Sequence, residues 1–424
     1  MGTTFKRSSE KYIKLPTIKR PYFYKTALSH KPGRDRMPTN VTAEYLAAEE
    51  EYRNAKTIPE KIRALEKMYA TVPKHKGTEK LRLQIKRKLA ELRKELEKQR
   101  QMRKGGGGPS IAVKKEGAAQ IVLAGLPNVG KSSLLKTLTN VDVDVANYAF
   151  TTVKPIPGMM HHKDVQIQLV EVPGLVEGAA LGKGMGPQLL SVIRNADAIA
   201  IVVDLSQDPV KQVEMLLKEF ERAGIKINKK KPKVEIKRTA MGGIVINGQE
   251  NIKGDIQEVM KMLREERIHS AEITVKEPVT LEEFADAIDE SLVWKRAIII
   301  ANKGDAPGSK ENYERLVEAY GDRFKIVPVS ARRRINLDKL KDELYELAGI
   351  IRVFTKSPGE EPAYPPVALK KGSTVMDLAE RIHKDFAKNF RYARVWGKSV
   401  KFPGQRVGAD HVLEDGDIVE IHAR

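Results

Sequence analysis

The chain has 424 residues, room for about three domains, and its 76 lysines and arginines against 56 aspartates and glutamates leave a formal charge of +20 at pH 7. Apolar residues at 41% and charged residues at 31% exclude a wholly disordered chain and an integral membrane protein. The absence of cysteine excludes disulfides, thiolate metal sites and cysteine nucleophiles, and it suits a reducing compartment. Residues 198–203 and 297–301 are the longest apolar runs; too short to cross a bilayer, they read as buried strands. The N-terminus lacks the apolar stretch of a signal peptide, so a cytoplasmic protein without a membrane partner is expected.

The charge is uneven: residues 1–120 carry +17 and residues 121–424 only +3. Residues 1–36 hold ten basic side chains against Glu10 and Asp35 without periodicity, and read as a basic tail that contacts nucleic acid or nothing. Met37 leaves open that this tail is an upstream extension. Residues 37–104 read as a helical hairpin domain. An Ala/Glu-rich stretch with Tyr45 and Leu46 comes first, Thr57 and Glu60 then form a capping box, and a third helix covers residues 78–104. In that helix Leu81, Ile85, Leu89, Leu92 and Leu96 make a seam for packing on the earlier two. Its outer face carries Arg82, Lys86, Arg87, Lys88, Arg93 and Lys94, either a solvated face or a contact for RNA phosphates. Residues 105–118 open with four glycines and a proline and read as a linker.

Residues 120–124 read as a buried strand that runs into Gly125, Leu126, Pro127, Asn128, Val129, Gly130, Lys131 and Ser132, with Ser133 continuing into a helix. This is G-x-x-x-x-G-K-S in its proper setting of strand, loop and helix. The glycines let backbone N–H groups close around phosphates, Lys131 neutralises the terminal ones, and the Ser132 hydroxyl can ligate Mg²⁺. A nucleoside triphosphate is the expected ligand. A further motif lies between this loop and the base-recognition residues: Phe150, Thr151 and Thr152, one threonine of which would reach Mg²⁺ only in the presence of the third phosphate. His161 and His162 read as turn or surface residues rather than metal ligands. Next come Glu171, Val172, Pro173 and Gly174, where the Gly174 amide would sense the γ-phosphate, and residues 177–186, so glycine-rich that they must move in at least one state. Residues 296–301, another strand, deliver Asn302, Lys303, Gly304 and Asp305 at the end where open α/β sheets place ligands. In this N-K-x-D motif Asp305 can accept from the two N–H donors of the guanine edge, and Lys303 can lay its stem over the purine. A strand at 325–329 ends in Ser330 and Ala331, whose backbone can contact the guanine carbonyl. GTP and GDP are therefore expected rather than ATP.

The order of these motifs and their flanks, Gly125 to Ser132, Tyr148 to Thr152, Val172 to Gly178 and Asn302 to Asp305, resembles the developmentally regulated GTP-binding (DRG) family of Obg-like GTPases, in its archaeal branch, over residues 37–424. Residues 371–379 and 413–419 look like the helix start and last strand of that family's TGS domain. The resemblance implies an α/β fold: a P-loop GTPase domain at 119–223 and 294–350, with a mostly parallel sheet and helices on both faces. An inserted α+β subdomain at 224–293, the N-terminal helical hairpin and a C-terminal ubiquitin-like β-grasp (TGS) domain at 351–424 complete it. It implies slow, Mg²⁺-dependent hydrolysis of GTP to GDP and phosphate by a switch associated with ribosomes or RNA in translation, with a regulatory protein as a further partner. Ser132 and Thr152 are then the Mg²⁺ ligands, Thr152 over Thr151 because relatives in the wider Obg group keep the second position of the pair. Lys131, Thr152, Gly174 and Asn128 would carry the catalysis. Two departures stand out. Glu171 occupies the place of the usual aspartate of D-x-P-G, and Leu175 the place where Ras-like enzymes keep the glutamine that orients water, a replacement the family shares.

Asn128 matches the position that binds K⁺ in cation-dependent GTPases, which makes it a candidate K⁺ ligand against the plainer reading of a loop-shaping asparagine. Tyr392 and Trp396, near Arg391, Arg394, Lys398 and Lys401, are either base-stacking or core residues, and Arg332 to Arg334 either rim charge or RNA contact. A competing reading, favoured by Glu171 and Leu175, is an RNA-binding or ribosome assembly protein whose nucleotide is structural. An ATPase of the neighbouring Obg-like branch conflicts with Asp305.

Overall fold

A computed structural model describes residues 42–73, 75–103, 113–139, 141, 154–182 and 184–423. The basic tail, most of the linker and Tyr148 to Thr152 lie outside the described residues. Helices α1 (Ala43–Asn54), α2 (Ile58–Thr71) and α3 (Glu79–Arg103) come first. The expected capping box opens α2: the Glu60 N–H donates to Thr57 Oγ1 at 3.3 Å, and Glu60 Oε2 accepts from the Thr57 N–H at 3.1 Å. The seam also forms, with Ile85, Leu89 and Leu92 buried against Tyr45, Ile62, Leu65 and Met68, and Leu81 and Leu96 at its margin.

Strand β1 (Ala119–Gly125) runs into α4 (Lys131–Leu138), and β2 (Ile156–His162) and β3 (Val165–Glu171) form a hairpin. Then come α5 (Gly186–Asn195), β4 (Ala198–Asp204), α6 (Pro209–Arg222) and β5 (Ile225–Ile227). A small unit follows: β6 (Val234–Arg238), β7 (Ile244–Asn247), β8 (Ile252–Lys253), α7 (Ile256–Glu265), β9 (Ala271–Val275), β10 (Val279–Thr280) and α8 (Leu281–Ile288). The chain returns with β11 (Val293–Asn302), α9 (Ser309–Tyr320), β12 (Ile326–Pro328) and α10 (Leu337–Ala348).

The main sheet has the order β12-β11-β4-β1-β3-β2 with β5 on β11, and only β2 runs antiparallel to its neighbour. Strands β1 and β4 are buried throughout, as the apolar runs predict for parallel strands covered on both faces. Helices α4 and α10 cover one face, and α5, α6 and α9 the other. The parallel order brings the C-terminal ends of β1, β3, β4 and β11 to one edge, where ligand crevices form. The small unit has its own sheet, β6-β9-β7, and its own core around Val259, Leu263, Ile273 and Phe284. Residues 225–227, expected at the start of the insert, instead pair with β11 on the main sheet.

The C-terminal module contains β13 (Ile350–Thr355), β14 (Val367–Lys370), α11 (Val375–Ile382), α12 (Lys384–Lys388), β15 (Phe390–Trp396), β16 (Gln405–Val407) and β17 (Asp417–Ala423). Its sheet order is β14-β13-β17-β15-β16, and a capping box of Thr374 and Asp377 starts α11. Asp415 fastens the module to α10, accepting from Arg352 Nη2 at 2.9 Å and from the Tyr345 hydroxyl at 3.1 Å. Tyr392 stacks on His422 with Arg406 3.9 Å from its ring centre, and Lys356 lies 4.7 Å from that of Trp396. Both rings thus already have partners from their own module.

The basic face of α3 departs from both expectations. Arg82 pairs with Glu282 at 3.0 Å, Lys86 with Asp286 at 3.0 Å, Arg87 with Glu265 at 3.5 Å and Lys94 with Glu266 at 2.6 Å, all on the insert. Arg93 pairs with Glu66 of α2 at 3.1 Å, and Lys88 with Glu91 of α3 itself at 2.8 Å. Leu83, on the same helix, is buried in the insert core. Residues 255–290 hold eleven acidic side chains against four basic ones, so the face is matched in charge by the chain itself. Apart from Lys88, whose pair with Glu91 is exposed, these cations face acidic groups of the chain itself rather than solvent or an open phosphate contact.

Arg82 also donates to the Val72 carbonyl at 3.2 Å, and its side chain is 9% exposed. Arg82→Ala should therefore cost about 2 kcal/mol of stability, between the values for surface and buried pairs. Lys88→Ala, which removes an exposed pair within one helix, should cost less than about 0.5 kcal/mol. Urea unfolding midpoints of the full-length variants measure both, and equal midpoints would contradict the docking role of Arg82.

Candidate nucleotide-binding site

The phosphate loop is built by a turn that only certain residues accept. Asn128 has φ 64° and Gly130 φ 92°, and a Cβ on Gly130 would lie 2.3 Å from Asn302 Nδ2. Pro127 and Asn128 are exposed at the lip, Val129 is buried, and Leu126 packs half-buried on the core. Lys131, the first residue of α4, is buried, and its Nζ donates to the carbonyls of Leu126 at 2.7 Å and Gly125 at 3.2 Å. Burial pushes its ammonium down to about 8, against the pull of Glu171. A polyphosphate in the loop would supply the opposite charge. Ser133 is half-buried in the first turn of the same helix.

Beside the lysine, the Ser132 hydroxyl donates to Glu171 Oε1 at 2.6 Å, while Glu171 Oε2 is buried without a hydrogen-bond partner. Burial raises the Glu171 carboxyl, opposed by the Ser132 hydroxyl and the Lys131 charge. A hydroxyl and a buried carboxylate with an unmet oxygen make a hard donor set that fits Mg²⁺, the rest of whose octahedron would come from phosphate and water. The extra methylene of Glu171 lets the carboxylate touch Ser132 directly. Thr151 and Thr152 lie outside the described residues.

After Glu171, the chain crosses the phosphate loop. A Cβ on Gly174 would lie 2.5 Å from the Pro127 nitrogen, so the two loops meet at a spacing that only glycine permits. Val172, expected to bind nucleotide, has its side chain fully buried in the core and its N–H donating to the Leu123 carbonyl at 3.3 Å. Leu175, at the position of the water-orienting glutamine, is also buried in that core, with its N–H on the Gly125 carbonyl at 3.0 Å. Pro173 is half-buried between them.

At the base end, Asn302 is 2% exposed; its Nδ2 donates to the Val129 carbonyl at 2.9 Å, and its Oδ1 accepts from the Ala331 N–H at 3.1 Å. It is a brace between loops. The Ser330 N–H donates to the Ile335 carbonyl at 3.3 Å, so both amides expected to meet the guanine carbonyl are engaged within the protein. Ser330 acts through its hydroxyl instead, donating to Asp305 Oδ1 at 2.7 Å and holding the Asp305 carboxyl below the usual range. Exposed Arg333 sits 3.5 Å from Asp305 Oδ2, which makes it rim charge at this site. Lys303, with φ 62°, reaches Asp204 Oδ2 at 2.6 Å, which fixes the head of a side chain whose stem can cover a ring.

Of the glycine-rich stretch, residues 177–182 and 184–186 are described. Gly178 (φ 86°) and Gly182 (φ 106°) bracket a short 3₁₀ turn. Glu219 of α6, 1% exposed, accepts from the Gly178 N–H at 3.0 Å and the Ala180 N–H at 2.7 Å. Sequence reasoning missed this residue. Its signal was a charge inside the apolar stripe of α6, beside Val213, Leu216 and Phe220. His162 pairs with Asp342 at 2.9 Å, and among the described residues no cluster of three or more His, Asp or Glu could hold a metal.

Fold and site together define a P-loop GTPase with a C-terminal TGS module. Residues 120–239 match the family described as 50S ribosome-binding GTPase, residues 241–349 the C-terminal region of the MMR_HSR1 domain, and residues 351–423 the TGS domain. The chain is 40% identical over 368 residues to an uncharacterized GTP-binding protein of Methanocaldococcus jannaschii, covering 86% of this chain and 92% of that protein. It is 37% identical over 369 residues to developmentally-regulated G-protein 3 of Arabidopsis thaliana (86% and 98%). To developmentally-regulated GTP-binding protein 2 of Homo sapiens it is 36% identical over 367 residues (86% and 99%). The chain belongs to the DRG family of Obg-like GTP-binding proteins.

If Glu171 supports the metal, Glu171→Gln should weaken GTP binding about 10-fold in Mg²⁺ and leave binding in EDTA unchanged, as measured by titration calorimetry. An equal loss in both buffers would contradict that role.

Proposed function

We propose that this protein is a slow, Mg²⁺-dependent GTPase switch that hydrolyses GTP to GDP and phosphate and works on ribosomes or RNA. The observation that carries the guanine assignment is Asp305, ionised and aimed by Ser330, on a loop that Asn302 braces against the phosphate loop. Lys131 would bind the β- and γ-phosphates, Ser132 and Thr152 would ligate Mg²⁺ with Glu171 behind them, and the Gly174 amide would sense the γ-phosphate. Mg²⁺, when bound, neutralises charge that develops on the phosphate oxygens. Slow turnover is supported by Leu175, buried in the core where a water-orienting side chain would be needed. K⁺ stimulation rests on Asn128, exposed at the lip of the loop, and its left-handed backbone equally suits a loop-shaping role. Single-turnover rates in KCl and NaCl at equal ionic strength should differ, and equal rates would remove the K⁺ role.

Ribosome or RNA association is supported by the description of the family that residues 120–239 match and by the surplus of basic charge. Since Arg82, Lys86, Arg87, Arg93 and Lys94 of α3 are paired with acidic side chains of the chain itself, we assign the salt-dependent part of that contact to residues 1–36. Deleting those residues should flatten the salt dependence of co-sedimentation with ribosomal subunits and leave GTP affinity intact.

A second reading, a structural nucleotide with negligible turnover, is favoured by the same burial of Leu175 and by Lys131 resting on its own loop carbonyls. Multiple-turnover phosphate release, with Lys131→Ala as control, decides between them. Asp305→Asn should move preference from GTP toward xanthosine triphosphate, whose 2-oxo group can accept from the new amide. Unchanged GTP preference in that variant would remove Asp305 from base recognition.

A further inference from the structure

We propose that Glu219 is a positioning residue for the loop beyond Gly174 and that the N-terminal helices hold Glu219 in place, so that hydrolysis responds to how those helices are seated. The part that concerns hydrolysis rests on the reading above; the structural link does not.

The link is a continuous chain of charge-assisted hydrogen bonds. Glu219 Oε1 accepts from the Gly178 N–H at 3.0 Å and from Arg222 Nη1 at 2.9 Å, and Oε2 accepts from the Ala180 N–H at 2.7 Å. Arg222 Nε donates to Glu66 Oε2 on α2 at 2.8 Å, and Glu66 Oε1 accepts from Arg93 Nη2 on α3 at 3.1 Å. Alongside it, Leu181 of the loop packs against the apolar core of α1, α2 and α3. The loop four residues past Gly174 is therefore tied, polar and apolar contacts together, to helices more than eighty residues upstream. Neither Glu66 nor Arg93 belongs to the nucleotide site.

A carboxylate as buried as Glu219 is tolerated only while its partners stay in place. If the loop moves, two amides leave and the charge rests on Arg222 alone. If the helices lift away, Arg222 loses Glu66 and is free to turn from Glu219, which loosens the two amides. Each event makes the other easier, which is the condition for two elements to bias one another. A ligand that pulls on α2 or α3 would alter the loop without touching the nucleotide.

The test uses full-length Glu66→Gln, Glu219→Gln and the double variant. Glu51→Gln serves as control, since among the described residues Glu51 pairs only with surface Lys67, at 2.6 Å on the same helices. Both glutamines keep the side-chain shape, and urea midpoints verify folding. With GDP bound, hydrogen exchange at Gly178 and Ala180 should speed up in Glu66→Gln and Glu219→Gln, and stay as in the parent in Glu51→Gln. Single-turnover hydrolysis should fall about fivefold in both, with the affinity for fluorescent GDP held within about twofold, and the double variant should be no slower than Glu219→Gln alone. Exchange and rate unchanged in Glu66→Gln, or the two effects multiplying in the double variant, would overturn the link. A parent protein that hydrolyses no GTP would sink the hydrolysis reading, while the exchange data would still judge the coupling.

Discussion

The side-chain amide of Asn302, buried between the carbonyl of Val129 and the N–H of Ala331, holds the phosphate loop and the base loop at one separation. Leaving either partner unsatisfied in that setting would cost about 1–3 kcal/mol, so the spacing is defended. Other features of the site are arranged around it. Gly130 leaves room for the amide, the parallel strands β1, β4 and β11 bring the three loops to one edge, and Ser330 and Asp204 then aim Asp305 and Lys303. On the proposed reading, specificity for the base and grip on the phosphates share one rigid frame, while the γ-phosphate is left to segments that meet it from outside.

Charge plays two separate parts in this chain. The formal +20 suggests one long basic surface for nucleic acid, but along α3 Arg82, Lys86, Arg87, Arg93 and Lys94 close onto the acidic stretch 255–290 and onto Glu66. There the charge is mortar between parts of one molecule. Half-buried pairs of this kind specify how the parts seat more than they add stability. The same chemistry continues through Arg222 and Glu219 to the glycine-rich loop, so the packing of the N-terminal helices and the order of that loop share a boundary.

Much of this was legible in the sequence because it depends on local spacing. G-x-x-x-x-G-K-S, N-K-x-D, the capping box at Thr57 and the heptad-like seam of α3 are short-range patterns with short-range physical causes. What escaped depends on residues far apart in the chain. Arg82 meets Glu282 across two hundred positions, and no pattern around either residue identifies the other. The engagement of the Ala331 amide by Asn302 and the placement of Arg333 on Asp305 follow from how two loops cross, which composition does not encode. Glu219 is intermediate: its place in the apolar stripe of α6 was a signal in the sequence that went unused, while its partners Gly178 and Ala180 emerged only from the fold.

Recognition of guanine by a braced, ionised Asp305 is tested most directly by displacing a fluorescent GDP analogue with unlabelled GTP and ATP in Mg²⁺. A site built to accept from the guanine N–H groups should leave ATP weaker by about 10³-fold or more. Displacement by ATP and GTP at similar concentrations would contradict it.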